Sequence, residues 1–166
     1  MKRIIIFLTL GAIVALILAM AGTASAAKPE VRTFQFEGTE FIADCGDFEV
    51  LTDFVLDIRS LVFFDSAGNE DFAREHFTFH DFFYNSETGE DFAETNTGNA
   101  VIDLTSGDEI SSSGLSYHVT VPGEGVVLLQ AGRLEFDEAG NVVFVAGPHQ
   151  VLRGETQKLC EALAGS

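Results

Sequence analysis

The sequence predicts an all-β domain, an antiparallel meander of about eight strands with a short C-terminal helix. Three observations carry this. Residues 48–64 alternate, with Phe48, Val50, Thr52, Phe54, Leu56, Ile58, Ser60, Val62 and Phe64 at even positions and Glu49, Asp53, Asp57 and Arg59 among the odd ones. That is the period-2 signature of a strand with one buried face. Turn residues recur at short intervals, and "FDSAGN" (64–69) nearly repeats as "FDEAGN" (136–141). Beyond the N-terminal segment, no stretch holds a helical period until Glu155–Leu163, where Leu159, Cys160 and Leu163 fall on one side.

The N-terminal segment stands apart. Lys2 and Arg3 precede a run, Ile4–Ala21, that is apolar except for Thr9, and Ala24-Ser25-Ala26 closes it with the small-x-small pattern of a signal peptidase site. Residues 1–26 read as a signal peptide and 27–166 as a single secreted β domain. An uncleaved anchor is the alternative, because the apolar run approaches a bilayer-spanning length. Cleavage after Ala26 leaves 140 residues, enough for one domain with a core.

Charge narrows the partners. The whole chain carries nine basic and 26 acidic residues, a formal charge of −17, and without Lys2 and Arg3 the balance is −19. Phosphate backbones and anionic membranes need a basic footprint, so neither nucleic acid nor a membrane surface is an expected partner. Cys45 and Cys160 are the only cysteines, and an even pair in an exported chain reads as a disulfide. It would close a loop of about 100 residues, equivalent to roughly 4–5 kcal/mol in the chain-entropy model.

The turns place strands near 31–37, 47–64, 70–84, 90–95, 100–105, 115–121, 126–136 and 142–147. Gly68 and Gly140 suit three-residue hairpins that end in a left-handed residue, and the Asp before each can bond the turn backbone. An EF-hand loop would need alternating acids and a distant Glu, which are absent. "NSETGE" (85–90) is a third hairpin, and "SSSG" (111–114) reads as a loop. A meander of this size closes into a small up-and-down barrel or divides into a two-sheet sandwich. Closure removes exposed edges, which favours the barrel.

Strand 70–84 carries "EHFTFHDFFYN" (75–85), with His76, His80 and Tyr84 on the same side. Four residues along a strand span roughly 13 Å, so the two histidines cannot share one metal ion. A zinc site would need His118 or His149 beside one of them, and no metal or other cofactor is expected. Their direction depends on a one-residue register. Pairing Asp65 with Asn69 sets Ile58 opposite His76 and turns both histidines inward. Pairing Asp65 with Glu70, or adding a bulge, sets Ile58 opposite Phe77 and Leu56 opposite Phe79. Exposing two phenylalanines forfeits on the order of 3–5 kcal/mol, so the second arrangement is the one expected. The second hairpin shows no such conflict: pairing Asp137 with Asn141 sets Phe136 against Val142 and Leu134 against Phe144.

The other candidates are dispersed. His118 alternates with Tyr117, Val119 and Val121 and reads as polar-face. His149 follows Pro148 and reads as a loop residue. Arg133 is one of few cations, able to pair with an acid or to hold an anionic ligand at a barrel mouth. Neither a G-x-S-x-G elbow, a phosphate loop nor a dinucleotide fingerprint occurs. Fifteen phenylalanines follow residue 26, which suits a core or a dry cavity for an apolar small molecule.

"CGDFEV", "FFDSAGN", "YNSETG", "YHVTVPGEGVVLLQAGR", "AGPHQ" and "LCEAL" together resemble a group of small secreted bacterial proteins of unknown function, over nearly all of the chain after the leader. That resemblance implies secretion and carries over no catalytic residues. "GEGVVLLQAGRLEF" is also similar to the glycine-bracketed strand of dirigent and allene-oxide-cyclase barrels, which implies barrel closure by analogy alone. Three functions stay open: a non-catalytic module binding an apolar small molecule or another surface, a small-barrel isomerase, cyclase or hydrolase using a histidine as acid or base, and a cell-envelope interaction protein.

Overall fold

The structure, a computed structural model, describes residues 28–121 and 123–164. The expected signal peptide lies outside the described residues. Among the described residues seven strands follow one another: β1 (Glu30–Asp44), β2 (Glu49–Phe64), β3 (Glu70–Asn85), β4 (Asp91–Asp103), β5 (Glu109–Val121), β6 (Gly125–Phe136) and β7 (Val142–Ala146). Two helices end the chain, α1 (Gln150–Arg153) and α2 (Gln157–Leu163). All neighbouring strands pair antiparallel, in the order β1 to β7, in one sheet.

Three expectations are corrected. The sheet is open, with β1 and β7 as its edges, so neither a closed barrel nor two separate sheets is seen. The segments expected at 90–95 and 100–105 form a single strand, β4, which brings the count to seven. "SSSG" lies inside β5, where Ser111–Gly114 pairs with Val101–Gly98. A long partner strand supplies the ladder that the local turn residues only weakly oppose.

The first hairpin satisfies the turn and the hydrophobic pattern together. Asp65 and Asn69 pair through the backbone (2.9 Å), and the Asp65 carboxylate accepts from the Ala67 and Asn69 N–H groups. Gly68 sits at φ +88°, the left-handed position this turn requires. A bulge then makes up the odd residue: Phe64 faces Glu70 and Phe63 faces Phe72, leaving Asp71 over. From there Ile58 meets Phe77 and Leu56 meets Phe79. The second hairpin uses the same turn and also a bulge. Phe136 meets Val142 as expected, but Glu135 meets Phe144, so Leu134 faces Val145.

Beyond Gly98 the sheet forks. Gly98 faces Gly114, and Gly114 faces Gly132. A side chain on Gly114 would sit 2.5 Å from the Gly98 Cα, and one on Gly132 would land on the Ala146 carbonyl oxygen. Past this row the early half of β4 pairs only with β3, and the late half of β5 pairs only with β6. The freed part of β5 folds over the inner face. The Tyr117 ring lies edge-on to Phe83 at 5.5 Å, and its hydroxyl donates to Glu40 on β1 at 3.2 Å. The Thr120 N–H released by the fork donates to the Glu94 side chain at 3.1 Å.

The core fills the fork. Val50 and Phe83 from the lower layer meet Val119, Val127 and Leu128 from the upper one, all buried, and α2 closes the end with Leu159 and Leu163. The expected helix therefore forms, two residues shorter at its start. Asn85 donates to the Leu163 carbonyl at 2.9 Å, and the Cys45–Cys160 disulfide ties the β1–β2 turn to α2.

Candidate functional site

The alternation of β3 decides what each face offers. Phe77, Phe79, Asp81, Phe83 and Asn85 share the inner side, while His76, Thr78, His80, Phe82 and Tyr84 share the outer one. His76 stands between Arg59 and Asn99, its Nδ1 3.2 Å from the Asn99 Oδ1. His80 stands between Val55 and Thr95, with Nδ1 3.2 Å from the Thr95 hydroxyl and Nε2 3.7 Å from Asp57. Tyr84 is half-buried near the strand end, opposite Leu51 and Asp91.

The remaining candidates lie elsewhere. His118 is half-buried on β5, opposite Leu129 and beyond a bulge at Ser116. Arg133 pairs with Glu135 on its own strand at 2.9 Å. His149 lies in the connection between β7 and α1, as a loop residue, yet it is 3% exposed: its backbone bridges Gln130 and draws it under the end of the sheet. Its Nε2 bonds the Ala146 carbonyl at 3.2 Å, and its Nδ1 has no partner among the described residues. The six candidates therefore do not converge, although His76 and Arg133 share one outward cross-strand row. Among the described residues, no group of three or more His, Cys, Asp or Glu is placed to hold a metal ion.

A second polar group lies on the inner face, at the boundary between the core and the open half. Thr52, Asp81 and Asn96 are each at most 3% exposed. Asn96 donates to the Asp81 carboxylate at 3.3 Å, while the Asn96 Oδ1 finds no partner among the described residues. Burial pushes the Asp81 carboxyl up to about 6; the Asn96 bond opposes this and the nearby Glu40 charge adds to it. Burial likewise raises the Tyr117 hydroxyl, with Glu40 and Asp81 adding to the effect. Glu40, Thr52, Asp81, Asn96 and Tyr117 thus bring five strands to one polar knot. The signal for Asp81 was present: once Phe77 and Phe79 face inward, Asp81 must follow two residues on.

The inner face on the other side of this knot is apolar and only half covered. Two cross-strand rows, Phe34–Ile58–Phe77 and Phe36–Leu56–Phe79, run from the β1 edge to β3. Phe34 is 44% and Phe36 53% exposed. The chain matches no family model, no curated protein and no solved structure.

Proposed function

We propose that the protein is a secreted, non-catalytic β domain that binds an apolar partner surface with the open half of its inner face. The observation that carries this is the exposure of Phe34 and Phe36 on β1, a 15-residue edge strand with no neighbour on its outer side among the described residues. Proteins ordinarily protect a long edge, and a contiguous apolar patch marks an interaction site. Covering the exposed halves of both rings is worth roughly 2–3 kcal/mol. An apolar small molecule is the other form of this reading. A two-row strip on an open sheet suits a partner surface better, because small ligands favour enclosed concavities.

The disulfide fits an oxidising compartment. Among the described residues no helix is long and apolar enough to cross a membrane. The resemblance to small secreted bacterial proteins supports the same location. Acid–base catalysis by a histidine has less support. The closest histidine–carboxylate pair, His80 and Asp57, is 3.7 Å apart with both side chains about half exposed.

Native mass spectrometry of the protein recovered from the secretion medium tests the proposal, comparing wild type with F34S/F36S. Added mass on the wild type that the variant loses supports it. Bare monomer mass in both proteins at micromolar concentration refutes it.

A further inference from the structure

The outward face of the same strands carries a separate feature. Arg59, His76, Asn99, Ser113 and Arg133 stand in one cross-strand row over β2 to β6. Arg74 and Ser111 lie in the adjacent row on the same face. Between the rows is an open cleft of about 410 Å³ lined by Arg59, Arg74, His76, Asn99, Ser111 and Ser113, with Glu75 as the one acid in its wall.

Its cations are unusual for this chain. Acids outnumber bases 26 to nine, and the other strand arginines are neutralised: Arg32 by Glu30 and Glu70, Arg133 by Glu135. Among the described residues, neither Arg59 nor Arg74 has a carboxylate within 4.0 Å. They are diagonal neighbours on paired strands, close enough for two long side chains to reach one anion. Arg74 is held in place, its guanidinium over the Phe63 and Phe72 rings at 5.7 and 6.0 Å. The Asn99 Oδ1 is taken by His76, which leaves the Asn99 amide N–H groups and the hydroxyls of Ser111 and Ser113 as further donors.

We propose that this cleft binds a tetrahedral oxyanion, the phosphate or sulfate group of a monoester. A carboxylate has two oxygens and is filled by one guanidinium fork. Two forks with an amide and two hydroxyls match an anion with three or four acceptor oxygens. The cleft is also much larger than one oxyanion, which leaves room for the esterified group. This site is independent of the apolar strip on the opposite face.

NMR of the oxidised protein at low ionic strength tests it, following backbone amides and arginine Nε–H groups. The probes are glycerol phosphate, glucose 6-sulfate and, as control, acetate. Saturable shifts centred on Arg59, Arg74, Asn99, Ser111 and Ser113 are expected with the phosphate or the sulfate ester, and the tighter of the two identifies the source. R59Q and R74Q should each weaken binding about tenfold, and R59K, which keeps charge but loses the fork, by less. The F34S/F36S variant should bind as wild type does. Shifts that fail to saturate, that acetate reproduces, or that R59Q leaves unchanged overturn the proposal. If R59Q does not fold, the wild-type shift map and R59K decide.

Discussion

Replacing Asp81 with asparagine (D81N) should stabilise the protein at neutral pH and remove much of its acid-range pH dependence. Asp81 is 3% exposed and lies near Glu40, and its carboxyl titrates at about 6 where 3.8 is usual. The folded protein therefore holds this proton more tightly than the unfolded chain does. Below about pH 3.8 the group is protonated in both states and its full contribution is present. As pH rises through about 6 that contribution is lost, and the difference amounts to ~3 kcal/mol. An amide has the same shape and no charge to lose. It can accept from the Asn96 side-chain N–H as the carboxylate does, and it can donate to the Asn96 oxygen that has no partner. D81N should thus match wild type near pH 4 and exceed it by up to ~3 kcal/mol near pH 8. Urea unfolding of both proteins at several pH values, with the disulfide intact, reads this directly. A variant no more stable than wild type near pH 8, or a difference that does not vary with pH, would refute the reasoning.

Three further outcomes follow from the packing. C45A/C160A removes a cross-link between residues 115 apart and should lose about 5 kcal/mol in the chain-entropy model, measured as a lower urea midpoint. F83A empties a fully buried site in the fork and should cost about 3–5 kcal/mol, whereas H80A on the outer face should change stability by no more than about 0.5 kcal/mol; equal costs in thermal melts would contradict the assigned faces. G132A places a methyl on the Ala146 carbonyl oxygen at φ +127°, so its circular dichroism should show loss of the native fold or a melting point many degrees lower.

Local chemistry made much of this fold legible. Both "AGN" turns, the third hairpin and the final helix follow from neighbouring residues, and the disulfide follows from there being only two cysteines. The inward direction of Phe77 and Phe79 followed from weighing two apolar rings against two histidines, and the bulge at Asp71 shows how the chain meets both demands. What could not be read is non-local. Whether β1 reaches β7 depends on curvature accumulated over seven strands. The fork depends on three glycines, Gly98, Gly114 and Gly132, that are unremarkable until register aligns them. The middle of the strand 91–103 holds Asn96, Gly98 and Asn99, residue types that are poor strand formers until a partner strand is paired to them. The site residues were legible only singly. Arg59, Asn99 and Ser113 sit on separate strands, and their row exists only after four strands pair. Asp81 follows from the same rotation: turning Phe77 and Phe79 inward also buries the polar residue two positions on.

The bond from Cys45 to Cys160 also bears on resistance to proteolysis. Every hairpin loop from 65–69 to 137–141 lies between the two cysteines. A protease that cuts any one of these loops leaves two fragments still joined at the end where α2 seals the core. The effective concentration of each fragment for the other stays high, and the cut strands can stay paired. A nicked population would run as intact protein on a non-reducing gel and separate only with reductant, so damage could accumulate without loss of the folded domain.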